Sequence, residues 1–376
     1  MKITAIVVLF AASAFAQPKR ARDLGVPFEG TPGPGNAITD VAGVEVGQTT
    51  IIEGDSARTG ITAVWPRGKQ DDDPVLGGWF TANGNGEMTG TTWLEDSGFL
   101  EGAVMITNTH SVGTVRDASI AWQVEHKRKL ATNRLGEDFW SLPVVAETWD
   151  GFLNNINGFF VKPEHVFHAL DSAATGPVEE GNVGGGTGMV CFGFKGGIGT
   201  SSRIAGAYRV AVLVQCNCGT KRLLRIAGAP VGQELANAPV ASIPAPREDT
   251  GSIIIVVATD APLLPNQLKR VARHATHGLA RLGAISSNSS GDIFVAFSTA
   301  NRNIAAPASG DVASLSMLTN NAISPIFEAT VQATEEAIVN AMVAARDMTG
   351  YKGHTVKALP HDDLQRILKK YNRFSN

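Results

Sequence analysis

The chain has 376 residues, of which 43% are hydrophobic and 18% charged, against roughly 25% charged residues in average soluble domains. This composition excludes an intrinsically disordered chain, and the length suits two domains or one large α/β or β-rich unit. A formal net charge of −3 leaves no basic excess to neutralise phosphates, which argues against a nucleic-acid partner.

The N-terminal residues have the pattern of a secretory signal peptide. Lys2 supplies the positive charge, residues 3–15 form an apolar segment too short to span a bilayer, and residues 14–16 (Ala-Phe-Ala) resemble a cleavage site. The mature chain would begin at Gln17. Because no other stretch reaches 18 apolar residues, we expect an exported protein, periplasmic or secreted, that has no membrane-spanning segment.

Strand-like segments and a few helices follow along the chain. Apolar, β-branched segments predict strands, and periodic apolar spacing predicts helices. The predicted strands cover residues 104–107, 142–146, 208–215, 253–258 and 293–297, and the predicted helices cover 114–127, 265–282 and 326–348. Residues 237–250 carry three prolines and predict an exposed linker. Strands in runs with few helices favour an α+β layered fold over regular βαβ units.

Three cysteines are too few for a disulfide scaffold. Cys216 and Cys218 are two apart on a predicted strand, so they share a face but cannot easily pair with each other. Either one of them pairs with Cys191 or all three are buried thiols, and we favour buried thiols.

Several common motifs are absent. No phosphate-binding GxxxxGK[ST] and no GxSxG nucleophile elbow occurs, so the glycine-rich segment 181–199 is assigned to turns. His274 and His277 lie on one helix face but lack the glutamate of a zinc-binding HExxH, and we interpret them as structural. His110 follows a buried strand, yet a lone histidine is also more often structural. No metal site is predicted.

The junction of Gly251 and Ser252 is unusual, because a predicted linker ends in glycine and a serine opens a strand predicted to be buried on both faces. An ordinary loop before a strand would look the same. The functional interpretation is a self-cleaving bond: glycine permits a strained backbone, and the serine hydroxyl attacks the preceding carbonyl. The freed α-amine of Ser252, with a reference pKa of about 7.7–8.0, could then act as base for its own hydroxyl.

The chain resembles the L-aminopeptidase/D-amidase-esterase family, which includes the β-peptidyl aminopeptidases. The resemblance covers nearly the whole mature chain, in order, and is carried by residues 33–40, 83–90, 107–113, 147–151, 184–188, 214–217, 250–252 and 290–293. It implies a four-layer αββα sandwich, similar in layout to N-terminal-nucleophile hydrolases but with different connectivity.

The resemblance also implies a mode of action. Members are made as precursors, cleave themselves before the serine, and assemble as αβ units, usually four together. After the signal peptide 1–16, residues 17–251 would form the α chain and residues 252–376 the β chain of one catalytic domain. The family releases N-terminal residues, including D- or β-residues in some members, from peptides, amides and esters, and it needs no metal or other cofactor.

Transferred position by position, the resemblance assigns catalytic roles to four residues. Ser252 matches the nucleophile, and Asn217 matches the asparagine whose amide faces the developing oxyanion. Ser290 and Asp292 match the serine and the acidic residue of a hydrogen-bonded triad; two apart at a strand start, both can point into one site. The acidic position is often glutamate, so the shorter Asp292 is a departure from the pattern.

Two residues match substrate-binding positions. Glu147 matches an acidic residue that holds the substrate ammonium, and Trp149 stands where some members have tyrosine. If that tyrosine hydroxyl donates to the oxyanion, the indole N–H is an imperfect replacement. The expected partner is therefore a small peptide or amino-acid amide.

Two other functions remain open. An acyltransferase similar to the ornithine acetyltransferases would share the self-cleaving architecture, but that family uses threonine and works inside cells, unlike a chain with Ser252 and a predicted signal peptide. The non-enzymatic alternative is an exported binding protein of the same fold that never cleaves, which an intact purified precursor would favour.

Overall fold

The computed structural model describes residues 19–129, 139–237, 251–305 and 311–375. The predicted signal peptide, Thr250 and nearly all of the predicted linker lie outside these residues. Within the described residues, no helix is long and apolar enough to cross a membrane.

Two sheets form the centre of the molecule. The strands are β1 (Glu45–Glu53), β2 (Ala57–Trp65), β3 (Val75–Gly84), β4 (Phe99–Leu100), β5 (Val104–Asn108), β6 (Val144–Thr148), β7 (Val190–Cys191), β8 (Phe194–Lys195), β9 (Gly197–Ala205), β10 (Tyr208–Asn217), β11 (Ser252–Thr259), β12 (Gly291–Ser298), β13 (Met348–Thr349) and β14 (Thr355–Val356). The first sheet has the order β1-β2-β5-β6 and the second has the order β4-β3-β12-β11-β10-β9.

Helices cover the outer face of each sheet. The helices of the described residues are α1 (Thr91–Ser97), α2 (Val112–Glu125), α3 (Pro163–Asp171), α4 (Val231–Glu234), α5 (Pro265–Arg281), α6 (Ser324–Ala344) and α7 (His361–Lys370). Helices α2 and α3 pack on the first sheet, and α5 and α6 pack on the second. The four layers are therefore helix, sheet, sheet and helix, and the predicted αββα sandwich is confirmed.

Three apolar layers fill the spaces between these four layers. The outer two lie between α2–α3 and the first sheet, and between α5–α6 and the second sheet. The middle layer lies between the sheets, where Ile106 and Ala146 face Leu213, Ile254 and Val295. Alternate residues of β11 thus enter different layers, since successive side chains of a strand point to opposite faces. This explains why β11 is buried on both sides and continuously apolar.

The predicted elements are found with small shifts. The strand predicted at 142–146 begins instead at Val144, because Pro143 has no N–H for the ladder, and it continues to Thr148. Strand β10 runs to Asn217, two residues beyond its predicted end. Helix α6 ends at Ala344 rather than at Met348, and the N–H of Arg346 donates to the side chain of Asn182.

A buried ion cluster fastens α6 to the second sheet. Glu336 accepts hydrogen bonds from Arg203 of β9 at 2.6 Å and from Arg22 at 2.7 Å, and the side chains of Arg203 and Glu336 are only 1% exposed. Burial alone raises the pKa of a carboxyl, but hydrogen bonding from Arg22 and the charge of Arg203 outweigh it and hold the pKa of Glu336 below its ordinary value.

We predict that Glu336→Gln lowers the free energy of unfolding by about 3–5 kcal/mol at pH 7, because Arg203 is left as an uncompensated buried charge. A depressed carboxyl pKa stabilises the fold above the unfolded pKa, so the difference between variant and wild type should shrink as the pH falls below the ordinary value of 4.5. Urea unfolding at pH 7 and pH 4 measures both effects.

Glu95→Gln is the matched control, because Glu95 pairs with Lys269 where both side chains are more than 40% exposed. It should change stability by about 1 kcal/mol or less. Equal losses in the two variants would contradict a special role for the buried cluster.

Candidate active site

Strand β11 begins at Ser252 and is paired on both sides from its first residue. In antiparallel β10 the residue opposite Ser252 is Asn217, and in parallel β12 it is Gly291. Ser290 directly precedes Gly291. Ser252, Asn217 and Ser290 are far apart in sequence. The pairing register therefore brings them together where β11 and β12 begin and β10 ends.

The hydroxyl of Ser252 is held by the neighbouring strand. The side chain is buried, and the N–H of Gly291 donates to Ser252 Oγ at 3.1 Å. Because this donor occupies one lone pair of Oγ, the rotation of the hydroxyl is restricted and its own proton is directed elsewhere. The sequence did not indicate the contribution of Gly291.

Gly251 has no room for a side chain. A Cβ built there would lie 2.1 Å from the carbonyl oxygen of Asn217 and 2.7 Å from Cys218 Cα. Its φ lies outside the left-handed region, so the close approach of the backbone, and not the φ angle, excludes a Cβ at this position.

The side-chain amide of Asn217 is fixed at both ends. Its Oδ1 accepts the N–H of Val190 at 2.8 Å, and its Nδ2 donates to the carbonyl of Trp149 at 2.9 Å. An amide nitrogen has two N–H groups, so the second can serve another acceptor. The orientation of Asn217 is thus set by backbone groups from two separate segments.

Ser290 and Asp292 form a hydrogen-bonded pair. The hydroxyl of Ser290 donates to Asp292 Oδ1 at 2.6 Å, and both residues are buried. The shorter aspartate therefore reaches Ser290 without the extra methylene of glutamate. In the register Asp292 lies opposite Ile253, one residue beyond Ser252, so the pair is next to the N-terminal end of β11.

Glu147 comes from the first sheet, near the end of β6. Its carboxylate accepts the N–H of Glu87 at 2.9 Å and the hydroxyl of Thr109 at 2.5 Å, and only 3% of the residue is exposed. Burial raises the pKa of Glu147, although these two hydrogen bonds oppose the rise. A buried carboxylate with neutral donors is suited to receive a cation.

Gly86 lies between Glu147 and Gly291, the residue that is paired with Ser252. A Cβ built on Gly86 would lie 3.1 Å from Glu147 Oε1 and 3.1 Å from the Cα of Gly291, the partner of Ser252 in the sheet. Trp149 joins the same region through its carbonyl, which binds Asn217, while its indole is 43% exposed. All six predicted site residues therefore gather where the two sheets meet at the start of β11.

A second buried carboxyl follows Trp149. Burial raises the pKa of Asp150 to about 7, even though Thr59 and Asn154 donate hydrogen bonds to it. The negative charge of Glu147 raises the pKa further. Two buried acidic groups therefore lie at the end of β6 and just after it.

The cysteines differ from the expected thiols. Cys191 and Cys216 form a disulfide with Cα atoms 5.8 Å apart, so the preference for three buried thiols was wrong. The sulfur of Cys218 lies 3.8 Å from that of Cys216 and 3.9 Å from that of Cys191. The short strand β7 brings Cys191 beside β10, a long-range contact that sequence spacing does not reveal.

The glycine-rich segment also has a role that sequence analysis missed. Its first part is a 3₁₀ helix, Gly184–Gly186, wedged between the sheets; the N–H of Gly185 donates to Thr62 of the first sheet. A Cβ on Gly185 would lie 2.0 Å from Gln215 Oε1 of the second sheet. These glycines therefore serve close packing rather than only turns, and the same segment supplies the Val190 N–H to Asn217.

Among the described residues, a single group of three potential metal ligands occurs, namely the three cysteines. Two of them are joined in the disulfide, so the group does not offer three thiolates. It lies beside Asn217 in sequence, yet its buried sulfurs belong to the apolar layer between the second sheet and its helices.

Comparisons with known proteins show which family the chain belongs to. The family model of Peptidase family S58 matches residues 36–356. The β-peptidyl aminopeptidase BapA of Sphingosinicella microcystinivorans is 53% identical over 399 aligned residues, covering 100% of this chain and 98% of that protein. The BapA of Sphingosinicella xenopeptidilytica is 46% identical, covering 98% and 95%.

Solved structures show the same fold. The L-aminopeptidase D-Ala-esterase/amidase of Ochrobactrum anthropi, described as a prototype for the serine aminopeptidases and a variant of the Ntn hydrolase fold, has a TM-score of 0.87 and 47% identity, covering 95% of this chain and 99% of that one. A β-aminopeptidase of a Burkholderia species has a TM-score of 0.84 and 46% identity, covering 94% and 99%. The resemblance seen in the sequence is thereby confirmed: the chain belongs to peptidase family S58 and is a hydrolase with a variant of the Ntn hydrolase fold.

Proposed function

We propose that the chain is an exported, self-processing aminopeptidase that uses Ser252 as an N-terminal nucleophile to release L-, D- or β-amino acids from peptides, amides and esters. One observation carries this proposal: the Ser252 hydroxyl directly follows the crowded Gly251 and lies in register between Asn217 and Gly291. The names of the S58 relatives, which are aminopeptidases and an amidase-esterase, support the same substrate class.

Self-processing would begin with attack of Ser252 Oγ on the carbonyl carbon of Gly251. The C–N bond breaks as the C–O bond forms, the nitrogen of Ser252 takes up a proton, and Gly251 is left as an ester on the hydroxyl. Water then hydrolyses the ester, which yields the Gly251 carboxylate and a free Ser252 α-amine. The Gly291 N–H, which binds Oγ at 3.1 Å, would orient the attacking lone pair.

Turnover would repeat this chemistry on a substrate. The neutral α-amine of Ser252 accepts the hydroxyl proton, Oγ attacks the substrate carbonyl, and the second N–H of Asn217 stabilises the oxyanion. The amine then gives the proton to the leaving group as the C–N bond breaks, which leaves an ester on Oγ. Water hydrolyses this ester, releases the amino acid and restores the Ser252 hydroxyl. The Ser290–Asp292 pair, next to the N-terminal end of β11, would hold the α-amine in place.

Glu147 would bind the ammonium group of the substrate. Its buried carboxylate lies on one side of Gly86, and Gly291, the residue paired with Ser252, lies on the other. The two hydrogen bonds that it accepts come from neutral donors. A bound ammonium would oppose the effect of burial and lower the pKa of Glu147. This anchors the scissile carbonyl one residue away from the ammonium, which is the geometry of an aminopeptidase.

Export and assembly complete the proposal. The signal-peptide pattern of residues 1–16 supports export, and the Cys191–Cys216 disulfide suits an oxidising compartment. We also propose that the αβ units form a homo-oligomer of four, as the family resemblance implies. N-terminal sequencing that begins at Gln17 would support the export signal.

The first prediction from this function concerns the precursor bond. Intact-mass analysis of purified protein should find chains of about 235 residues (17–251) and about 125 residues (252–376), of roughly 25 and 13 kDa. They should stay associated, because β11 is an interior strand of the second sheet. Ser252→Ala should leave one uncut, inactive chain, since nucleophile and base are lost together.

Ser252→Cys is the control, because a thiol can make the same acyl shift and should still cleave. An active enzyme that remains a single uncut chain would overturn the mechanism. An uncut wild-type chain without activity would instead favour a binding protein.

The second prediction tests the ammonium site. N-acetylation of an aminoacyl p-nitroanilide should lower kcat/KM at least about tenfold, since a charge-assisted hydrogen bond contributes about 1.5–3 kcal/mol. Glu147→Gln should cause a similar loss with the free-amine substrate and almost none with the acetylated one. If both substrates respond equally to the variant, Glu147 does not bind the ammonium.

The third prediction is the pH dependence. The rate should rise with pH through about 7–8, because only the unprotonated Ser252 amine can accept the hydroxyl proton. Burial raises the pKa of Glu147, so ammonium binding should weaken as the pH falls toward that pKa and KM should rise on the acid side. Glu147→Gln should remove the change in KM and keep the rise in kcat. A kcat that is flat from pH 5 to 9 would exclude the amine as base.

A further inference from the structure

A fully buried lysine lies in the glycine-rich segment beside the site. Lys195 is 0% exposed, and its Nζ donates to the carbonyls of Gly196 at 2.8 Å, Met189 at 2.9 Å and Gly186 at 3.2 Å. An ammonium has three N–H groups, so all of them are directed at backbone carbonyls. The proposed mechanism gives this residue no role.

Such a lysine is costly to the fold. Lysines are almost never fully buried unless they are paired with a counter-charge, and burial lowers the pKa of Lys195 to about 7. A methionine would fill a similar volume without that desolvation cost. The benefit of the lysine must therefore lie in what its three hydrogen bonds hold in place.

One of the three acceptors belongs to the peptide group that orients Asn217. The carbonyl of Met189 and the N–H of Val190 are the two ends of a single planar peptide. Lys195 binds its oxygen at 2.9 Å, and Asn217 Oδ1 accepts from its nitrogen at 2.8 Å. A hydrogen bond donated to the oxygen polarises the peptide and strengthens the N–H as a donor, because chained hydrogen bonds reinforce one another.

The other two acceptors fix the position of that peptide. Gly186 ends the 3₁₀ helix Gly184–Gly186 that is wedged between the sheets, and Gly196 donates its N–H to the carbonyl of Met189 at 2.9 Å. The side chain of Lys195 therefore binds the Met189–Val190 peptide, Gly186 and Gly196 at the same time. Rotation of this peptide would release Asn217, whose other hydrogen bond is to Trp149.

We propose that Lys195 is a positioning residue for the reaction: acting through the Met189–Val190 peptide, it holds the amide of Asn217 in the orientation that stabilises the oxyanion. This inference rests on the proposed function, since it assumes that Asn217 faces the oxyanion. Lys195 touches neither the substrate nor the reacting atoms, and its effect passes through one rigid peptide group.

The test is a double-mutant cycle of Lys195→Met and Asn217→Ala, scored by kcat, KM and the rate of self-cleavage. Asn217→Ala should lower kcat by about 10²–10³. Lys195→Met should lower kcat by about 10- to 100-fold and change KM by less than about twofold, because a misplaced donor weakens the transition state only. In the Asn217→Ala background Lys195→Met should change kcat, or self-cleavage, by less than about twofold.

Two further variants keep the test decisive. Lys195→Gln retains an N–H donor group on a shorter side chain and should give an intermediate kcat. This second variant keeps the test available if Lys195→Met does not fold. Lys69→Met is the matched control: Lys69 also donates to two backbone carbonyls, of Asp171 and Ala173, and its loss should leave kcat unchanged.

The outcomes separate the two proposals. If Asn217→Ala keeps full activity, the proposed oxyanion role of Asn217 is wrong. If Asn217→Ala loses activity while Lys195→Met and Lys195→Gln keep wild-type kcat, only the role of Lys195 is overturned. Lys195→Met could also lower kcat by the same factor in the wild-type and Asn217→Ala backgrounds. That result would overturn the role of Lys195 too, because a general structural defect lowers kcat independently of Asn217.

Discussion

The pairing of β11 on both sides, from its first residue, is the constraint on which the site depends. Backbone ladders to β10 and β12 fix Ser252 opposite Asn217 and Gly291, so that the hydroxyl, the amide and an N–H donor meet without a flexible loop. The close approach that excludes a side chain at Gly251 results from the same pairing. A chain cut before Ser252 would keep its new N-terminus in an interior strand, held by hydrogen bonds on both sides.

Buried charges are arranged differently inside and outside this region. Away from the site, Glu336 is matched by two arginines, which hold the pKa of its carboxyl low. At the site Glu147 and Asp150 are buried with neutral donors, and burial raises the pKa of both. Lys195 is buried among carbonyls, with a lowered pKa. Unmatched buried charge costs stability, and buried groups with shifted pKa values cluster more often at functional sites than elsewhere.

The glycine-rich segment shows how packing and chemistry are combined. Its glycines allow the backbone to pass between the two sheets where a Cβ would collide with Gln215 or with other backbone. That passage brings the N–H of Val190 to Asn217 and Cys191 to Cys216. The segment thus joins the first sheet, which carries Glu147, to the second sheet, which carries the serine.

The sequence by itself determined the elements and the kinds of residue in the site. The β-branched segment of β11 and the periodic spacing of α5 are local signals, and both elements are found within one or two residues of their predicted limits. The resemblance to a family supplied the six site residues, namely Glu147, Trp149, Asn217, Ser252, Ser290 and Asp292. Only the tertiary structure decided how they meet: the register that places Asn217 opposite Ser252, the pairing of Cys191, and the carbonyls around Lys195. These contacts join segments distant in the chain, and no local pattern of side chains encodes which backbone groups will lie beside each other after folding.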